Sequence, residues 1–343
     1  MAVKELGSGR PIFSVIVPAY NVEEYVAETI RSVLCQSESS VEVIVIDDGS
    51  TDSTLSVISD LASTDSRLRV FTGENRGLSS TRNQGILLAT GRYVLFLDGD
   101  DKLKQNALEV CLCSHTESGL DLFCYAATEF GQIESRSLAH NRYCKPDIPG
   151  PLSGQQLMLE LASSKSYTSS ACLYSVDREL LLNHRLRFDD GYIHEDEAFT
   201  PKVLACSARS AVTGCPLYMR RIRPGSITMS DKTYANVLGY LQAVDSLGMW
   251  VRSHTELSPP VESFFRRRQR TLLRTARKIA LNLCMEKTYT SDVSRRFSCL
   301  ELSRIDIFAP LYVHHPKIYQ RFRLLWHVVS GAVLSSSGRR KED

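Results

Sequence analysis

The sequence predicts an α/β fold: a mostly parallel sheet flanked by helices, followed by a C-terminal helical region. Three observations carry that reading. Near-continuous apolar runs alternate with amphipathic stretches through the first hundred residues, the pattern of parallel strands buried on both faces. Polar and acidic residues gather just after those runs, where open α/β sheets bind ligands. Beyond residue 232 only helical patterning remains, so the chain divides near 230, into residues 11–230 and 231–343.

The elements follow in order. Phe13–Tyr20 is a buried strand ending at a proline, and Val22–Gln36 is a helix with Val26, Ile30, Val33 and Leu34 on one face. Val41–Ser50 is a second strand, ending in acids and glycine. Thr51–Ala62 opens with the capping types Thr51 and Asp52 and continues as a helix. Leu68–Gly73 is a short strand, Leu78–Thr90 a helix, and Arg92–Asp101 a fourth strand that again ends in acids. After Lys102 the pattern mixes: a strand-like piece at Asp121–Ala127, a Pro/Gly-rich linker at Pro146–Gly154, a helix at Gly154–Ser163, and an acidic turn entering a helix at His194–Ala205.

Composition narrows the class. The chain has 343 residues, 43% hydrophobic and 23% charged, ordinary for a globular protein and unlike a disordered or fibrous one. The net charge of +2 conceals a division: residues 1–250 hold 23 basic against 31 acidic residues, residues 251–343 hold 18 against 8. Ten cysteines occur without a C-x-x-C pair or a His/Cys cluster at zinc spacing, and Cys35, Cys172, Cys206 and Cys284 lie in apolar stretches. The first residues lack the apolar core of a signal peptide. Leu324–Gly338, about fifteen residues long, is too short for a membrane span. The expectation is a reduced, cytoplasmic protein.

Asp98-Gly99-Asp100-Asp101 is the sharpest local feature. Two carboxylates one residue apart at a strand end suit a divalent cation bound to a diphosphate, a hard ion that prefers oxygen; the same run is also good turn chemistry. Arg82 and Asn83 read as opening a helix, where a guanidinium and free N–H groups receive phosphate, or else as a surface cap. No G-x-x-x-x-G-K-[ST] or G-x-G-x-x-G occurs, so the glycine cradles of P-loop and dinucleotide folds are missing.

Together the segments P-A-Y-N at 18–21, I-D-D-G-S-T-D at 46–52, N-R-G-L-S at 75–79, R-N at 82–83 and F-L-D-G-D-D at 96–101 resemble the family 2 glycosyltransferases. The likeness is dense over residues 11–105 and resumes at His194–Glu197 and Pro216–Ser226. It implies a Rossmann-like GT-A fold and a nucleotide-sugar donor, UDP-linked. Pro18, Ala19 and Tyr20 would line the base pocket beside Asn21, with Asp48 accepting from the uracil ring. Asn75, Gly77 and Arg82 would border base and diphosphate. Asp98 would reach the ribose across Gly99, Asp100 would hold the metal (Mn²⁺ or Mg²⁺), and Asp101 would support the loop. Glu195-Asp196 matches the family's E-D pair, with Asp196 the base that deprotonates the acceptor hydroxyl. Arg221, Arg223 and Ser226 become diphosphate or acceptor contacts, or a solvated basic turn. A base opposite a departing diphosphate implies inversion.

The Q-x-x-R-W signature of processive synthases is missing, which implies transfer of a single sugar to a glycan or lipid-linked acceptor in polysaccharide synthesis. Two other readings stand beside this one. Sugar-1-phosphate nucleotidyltransferases carry a glycine-rich loop where this chain has P-A-Y-N, and a non-catalytic scaffold would have lost its acids. In the tail, Glu262–Lys287 combines an apolar stripe (Phe265, Leu272, Ala276, Ile279, Leu283) with a run of arginines. Either it packs its stripe with a solvated basic face, or that face meets anionic lipid at the inner side of the cytoplasmic membrane. Aromatic platforms for nucleic acid are not evident.

Overall fold

The computed structural model describes residues 10–131, 143–223 and 231–285. By backbone proximity the chain falls into two units, Met1–Asp231 with Ser246–Arg267, and Lys232–Asp245 with Arg268–Asp343. The first holds a nine-stranded sheet.

Its first part is the parallel array that the apolar runs dictate. Strand β1 (Phe13–Ala19) and strand β2 (Val41–Asp47) are buried at every position, and β1 pairs in parallel with β2 on one side and with β4 (Tyr93–Phe96) on the other. Strand β3 (Leu68–Thr72) adds in parallel to β2. The connections are helices α1 (Val26–Leu34), α2 (Thr54–Ala62) and α3 (Leu78–Leu88), as parallel neighbours require. Observed α1 starts four residues after the expected Val22: Val22 is drawn into the turn, its amide donating to Thr54 Oγ1 at 2.8 Å.

The second part is mixed. After β5 (Lys102–Leu103) and α4 (Ala107–Ser118) come β6 (Leu122–Gly131), β7 (Ile148–Leu152), α5 (Gly154–Ser163), β8 (Tyr174–Asp177), α6 (Arg178–Asn183), α7 (Asp196–Cys206) and β9 (Ser210–Ile222). The order across the sheet is β3-β2-β1-β4-β8-β6-β9-β5, with β7 also on β9. Strand β8 runs antiparallel to both β4 and β6, while β6 and β9 are parallel. The fold class is the expected one, but parallel pairing does not extend through the whole sheet. Because two reversals flank β8, the ends of β4, β6 and β9 point the same way. Arg221 and Arg223 at the end of β9 therefore share an edge with the acids that follow β4.

Helix α5 is closed by a capping box, Ser153 Oγ accepting from the Gln156 amide at 3.2 Å. Helices α8 (Tyr234–Ser253) and α9 (Pro259–Met285) follow the sheet. The expected stripe of α9 is buried at Phe265, Leu272, Ala276, Ile279 and Leu283, while Arg266, Arg267, Arg270, Arg274 and Lys278 are exposed. Among the described residues no helix is long and apolar enough to cross a membrane.

Candidate active site

The loop after β4 carries the D-G-D-D run, and its tight course depends on Gly99. A Cβ there would lie 2.9 Å from the Pro18 carbonyl and 3.2 Å from a Val22 methyl, so any side chain would force the loop off β1. The Gly99 carbonyl accepts from Thr29 Oγ1 at 3.0 Å, which ties the loop to α1. The three acids then take different environments. Asp101 is buried; it accepts from Tyr218 Oη at 2.6 Å and from the Arg221 amide at 2.7 Å. Burial, followed by the charges of Asp98 and Asp100, drives its carboxyl well above the usual range. It props the loop, the role expected of it.

Asp98 and Asp100 each meet an arginine. Asp98 Oδ1 accepts from Arg82 Nη2 at 2.8 Å, and Asp100 Oδ2 accepts from Arg223 Nε at 2.6 Å. Arg82 does more than this. Its Nη1 donates to Glu195 Oε1 at 2.7 Å and to Asp196 Oδ1 at 3.2 Å, while Nη2 also lies 3.8 Å from the Cys172 sulfur. The residue is 1% exposed, with its guanidinium over the rings of Phe188 and Phe96. Burial opposes its charge, but Asp196 and Asp98 more than offset that, so it stays firmly protonated. One buried cation thus joins the acids after β4 to the acidic start of α7.

This placement changes two expectations. Helix α3 begins at Leu78 behind Gly77, which sits at φ 85, so Arg82 and Asn83 lie in its second turn, and their amides belong to the helix. The Arg82 guanidinium, expected at the diphosphate, is instead committed to three carboxylates. Asn83 clamps the segment before α7: its Nδ2 donates to the Phe188 carbonyl and its Oδ1 accepts from the Phe188 amide, both at 2.9 Å.

Asp196 lies in the first turn of α7. Its side chain keeps 22% exposure, yet burial of the carboxylate pushes its pKa up to about 7; the Arg82 charge pulls against that rise, and Glu195 and Asp98 add to it. A carboxylate that titrates near neutrality and retains access is matched to taking a proton at physiological pH.

At the end of β1, Pro18 and Ala19 are buried, whereas Tyr20 is 49% exposed and offers an open ring beyond the strand. Asn21 sits at φ 50, its Oδ1 accepting from the Thr51 amide at 2.9 Å. Both oxygens of Asp48 are engaged, accepting from the Arg76 and Gly77 amides at 2.8 Å each. Asp48 therefore holds the loop of Asn75 and Gly77 against β2 before it does anything for a base. Asn75 itself is exposed.

Arg221 is likewise committed. Its Nε donates to the Asp100 carbonyl at 2.7 Å, Nη2 pairs with Glu28, and the guanidinium lies between Tyr25 and Phe130, 4.9 and 4.4 Å from the ring centres. It is a brace, on the strand instead of in a following turn. Ser226 lies outside the described residues. Glu28, Tyr25, Cys172 and Tyr218 carry no role in the sequence reading; they come from α1, the residue before it, the 3₁₀ turn at Ala171–Leu173 and β9.

Among the described residues no three histidine, cysteine or acidic side chains converge on one metal position. Asp98 and Asp100 supply hard oxygen donors, and ions such as Mg²⁺ are commonly held by one or two carboxylates together with substrate phosphates. The donor set fits that kind of site.

Comparison with known proteins agrees with this geometry. Residues 14–180 match the family model described as Glycosyl transferase family 2. That stretch, just under half of the chain, is a family 2 glycosyltransferase domain. The chain is 32% identical over 231 residues to the uncharacterized glycosyltransferase EpsJ of Bacillus subtilis, a match covering 64% of this chain and 63% of EpsJ. Its match to glycosyltransferase GlyA of Streptococcus pneumoniae is 30% identical over 218 residues, covering 63% of this chain and 31% of GlyA. The chain thus spans under two thirds of either relative. In fold it is similar to Staphylococcus aureus TarS 1–349 in complex with UDP, at TM-score 0.63 and 20% identity, over 90% of this chain and 87% of that one. In fold the chain is thus GT-A-like.

Proposed function

We propose that the chain transfers one sugar from a nucleotide-sugar, UDP-linked, to a hydroxyl of a glycan or lipid-linked acceptor, with inversion, in surface-polysaccharide synthesis. Residues 11–230 are the catalytic part in this reading, and 231–343 a basic helical appendage. The observation that carries it is the Arg82 bridge: Asp98 on one side, Glu195 and Asp196 on the other, all within 3.2 Å of one buried guanidinium. Base and donor-side acids are thereby held together although 98 residues separate Asp98 from Asp196. Preference for a uridine donor leans on the TarS complexes with UDP and UDP-GlcNAc, and the polysaccharide context on the putative-teichuronic-acid transferase TuaG of Bacillus subtilis, 36% identical over 153 residues.

The chemistry follows from the residues. Asp196 accepts the acceptor's hydroxyl proton as that oxygen attacks the anomeric carbon; the bond from that carbon to the diphosphate oxygen breaks, and the electron pair leaves with the nucleoside diphosphate. General-base action of this kind contributes about 10²–10⁴-fold. Glu195, through Arg82, orients Asp196. Tyr20, Pro18 and Ala19 receive the base, and Asp48 presents the Asn75–Gly77 loop to it. Asp98 reaches toward the ribose, and Asp100 is the residue that would hold a divalent cation, Mn²⁺ or Mg²⁺, which when bound offsets the charge of the departing diphosphate.

The exposed arginines of α9 favour attachment to an anionic membrane surface at about 1 kcal/mol per basic residue, which would make the protein peripheral on the inner face of the cytoplasmic membrane. The decisive experiment is a donor screen with Mn²⁺ or Mg²⁺ that follows nucleoside diphosphate release. Turnover with a UDP-sugar that vanishes in Asp196→Asn is the expected result. Release unaffected by Asp196→Asn and Asp100→Asn, or by omission of the metal, refutes the assignment.

A further inference from the structure

Two neighbouring arginines on β9 meet the same acidic loop in different ways. Arg221 is enclosed: a backbone carbonyl, Glu28 and two aromatic faces use up its guanidinium. Arg223 stands just past the end of the strand. Among the described residues it pairs with one carboxylate, Asp100, at 2.6 Å, and lies over the Tyr25 ring at 4.9 Å. The two side chains of this pair keep 21% and 19% exposure, so water and small ions reach them. Asp98, the other acid of the pair, is 39% exposed, but its partner guanidinium is 2% exposed and fixed by two further carboxylates, so that cation stays in place whatever Asp98 binds.

A guanidinium on Asp100 Oδ2 offsets the carboxylate charge and takes a lone pair that a divalent cation would otherwise use. We propose that Arg223 is an exchange residue of the donor site: it holds Asp100 while the site is empty, and moves to the diphosphate when the cation–nucleotide complex takes that carboxylate. The proposal rests on the cation reading given above and assigns a role within it.

The exchange has a thermodynamic consequence. A cation arriving alone must displace Arg223 and leave it without an anion. A cation arriving with a diphosphate brings the replacement anion with it, so cation and nucleotide each tighten the other, by the same factor in either direction. Tyr25 offers the guanidinium a cation–π surface on which to remain in either state.

The test measures Mn²⁺ binding to the full chain by the EPR signal of free Mn²⁺, with and without UDP. Wild type binds Mn²⁺ weakly alone and much more tightly with UDP. In Arg223→Gln, Mn²⁺ alone binds about fivefold more tightly, the worth of a partly exposed ion pair, and the tightening by UDP shrinks. Arg223→Lys, which keeps a competing charge, stays close to wild type in both. Unchanged or weaker Mn²⁺ binding alone in Arg223→Gln, or undiminished tightening by UDP, overturns the exchange. Failure of the cation reading looks different: wild type then binds no Mn²⁺ even with UDP, or Asp100→Asn binds it as wild type does, and the exchange falls with it.

Discussion

Arg82 and Arg223 each neutralise an acid of the same D-x-D, yet they are opposite kinds of contact. Arg82 comes from the interior of α3, is 1% exposed, and holds Asp98, Glu195 and Asp196 together. Arg223 comes from the end of β9, is partly exposed, and holds Asp100. The difference teaches that one arginine builds the site and the other occupies it. Removing the buried cation leaves Glu195, 9% exposed, without its counter-charge; a partly exposed cation can trade partners at small cost.

The largest effect that could break this contrast is catalytic. Asp196→Asn, which preserves shape and removes the base, should lower turnover by about 10²–10⁴-fold while leaving nucleotide binding within a few-fold, checked by steady-state kinetics beside calorimetric titration with UDP. Equal loss of turnover and UDP affinity would instead make Asp196 a donor ligand.

Next comes stability. Arg82→Gln leaves three carboxylates facing each other without their cation, and breaking a buried pair of this type costs about 3–5 kcal/mol, measured by urea unfolding. A loss under 1 kcal/mol would mean that Arg82 is not the anchor. The matching substitution at the other arginine, Arg223→Gln, should change unfolding free energy by no more than about 1 kcal/mol.

The pH profile is subtler. Asp196 must be ionised to act, and burial raises its pKa to about 7, so activity falls as pH drops through about 7 and the acidic limb of kcat/KM lies there. The Arg82 charge lowers that pKa. Arg82→Gln, which removes that charge, should therefore shift the limb to higher pH, while Arg223→Gln, whose lost charge faced Asp100, moves it far less. A limb fixed near pH 4 in all three proteins removes Asp196 from the base role.

Much of the fold could be read without coordinates. In the first hundred residues β1, β2 and β4 are apolar runs buried throughout, and α1 shows one buried stripe; there local periodicity encodes burial directly, whereas β3, at the sheet edge, is buried only at Leu68. The boundaries of α5 and the buried stripe of α9 were legible for the same reason. The antiparallel insertion of β8 was not, because pairing direction depends on which strand lies beside which, and a four-residue strand carries no record of that. The candidate site divides along the same line. That Asp98, Asp100, Glu195 and Asp196 are candidates was legible from their residue types and positions after strands or before a helix.

By itself the sequence determined the alternating α/β order, the placement of the acids at strand ends, and the uneven distribution of charge along the chain. Only the tertiary structure decided which cation meets which acid: that Arg82 is buried among three carboxylates, that Asp48 accepts from a loop, and that Arg221 is enclosed while Arg223 is partly exposed. Periodicity is a property of neighbours in the chain, and an ion pair between residues 82 and 196 is a property of sheet order, which brings the start of α3, the end of β4 and the start of α7 to one point.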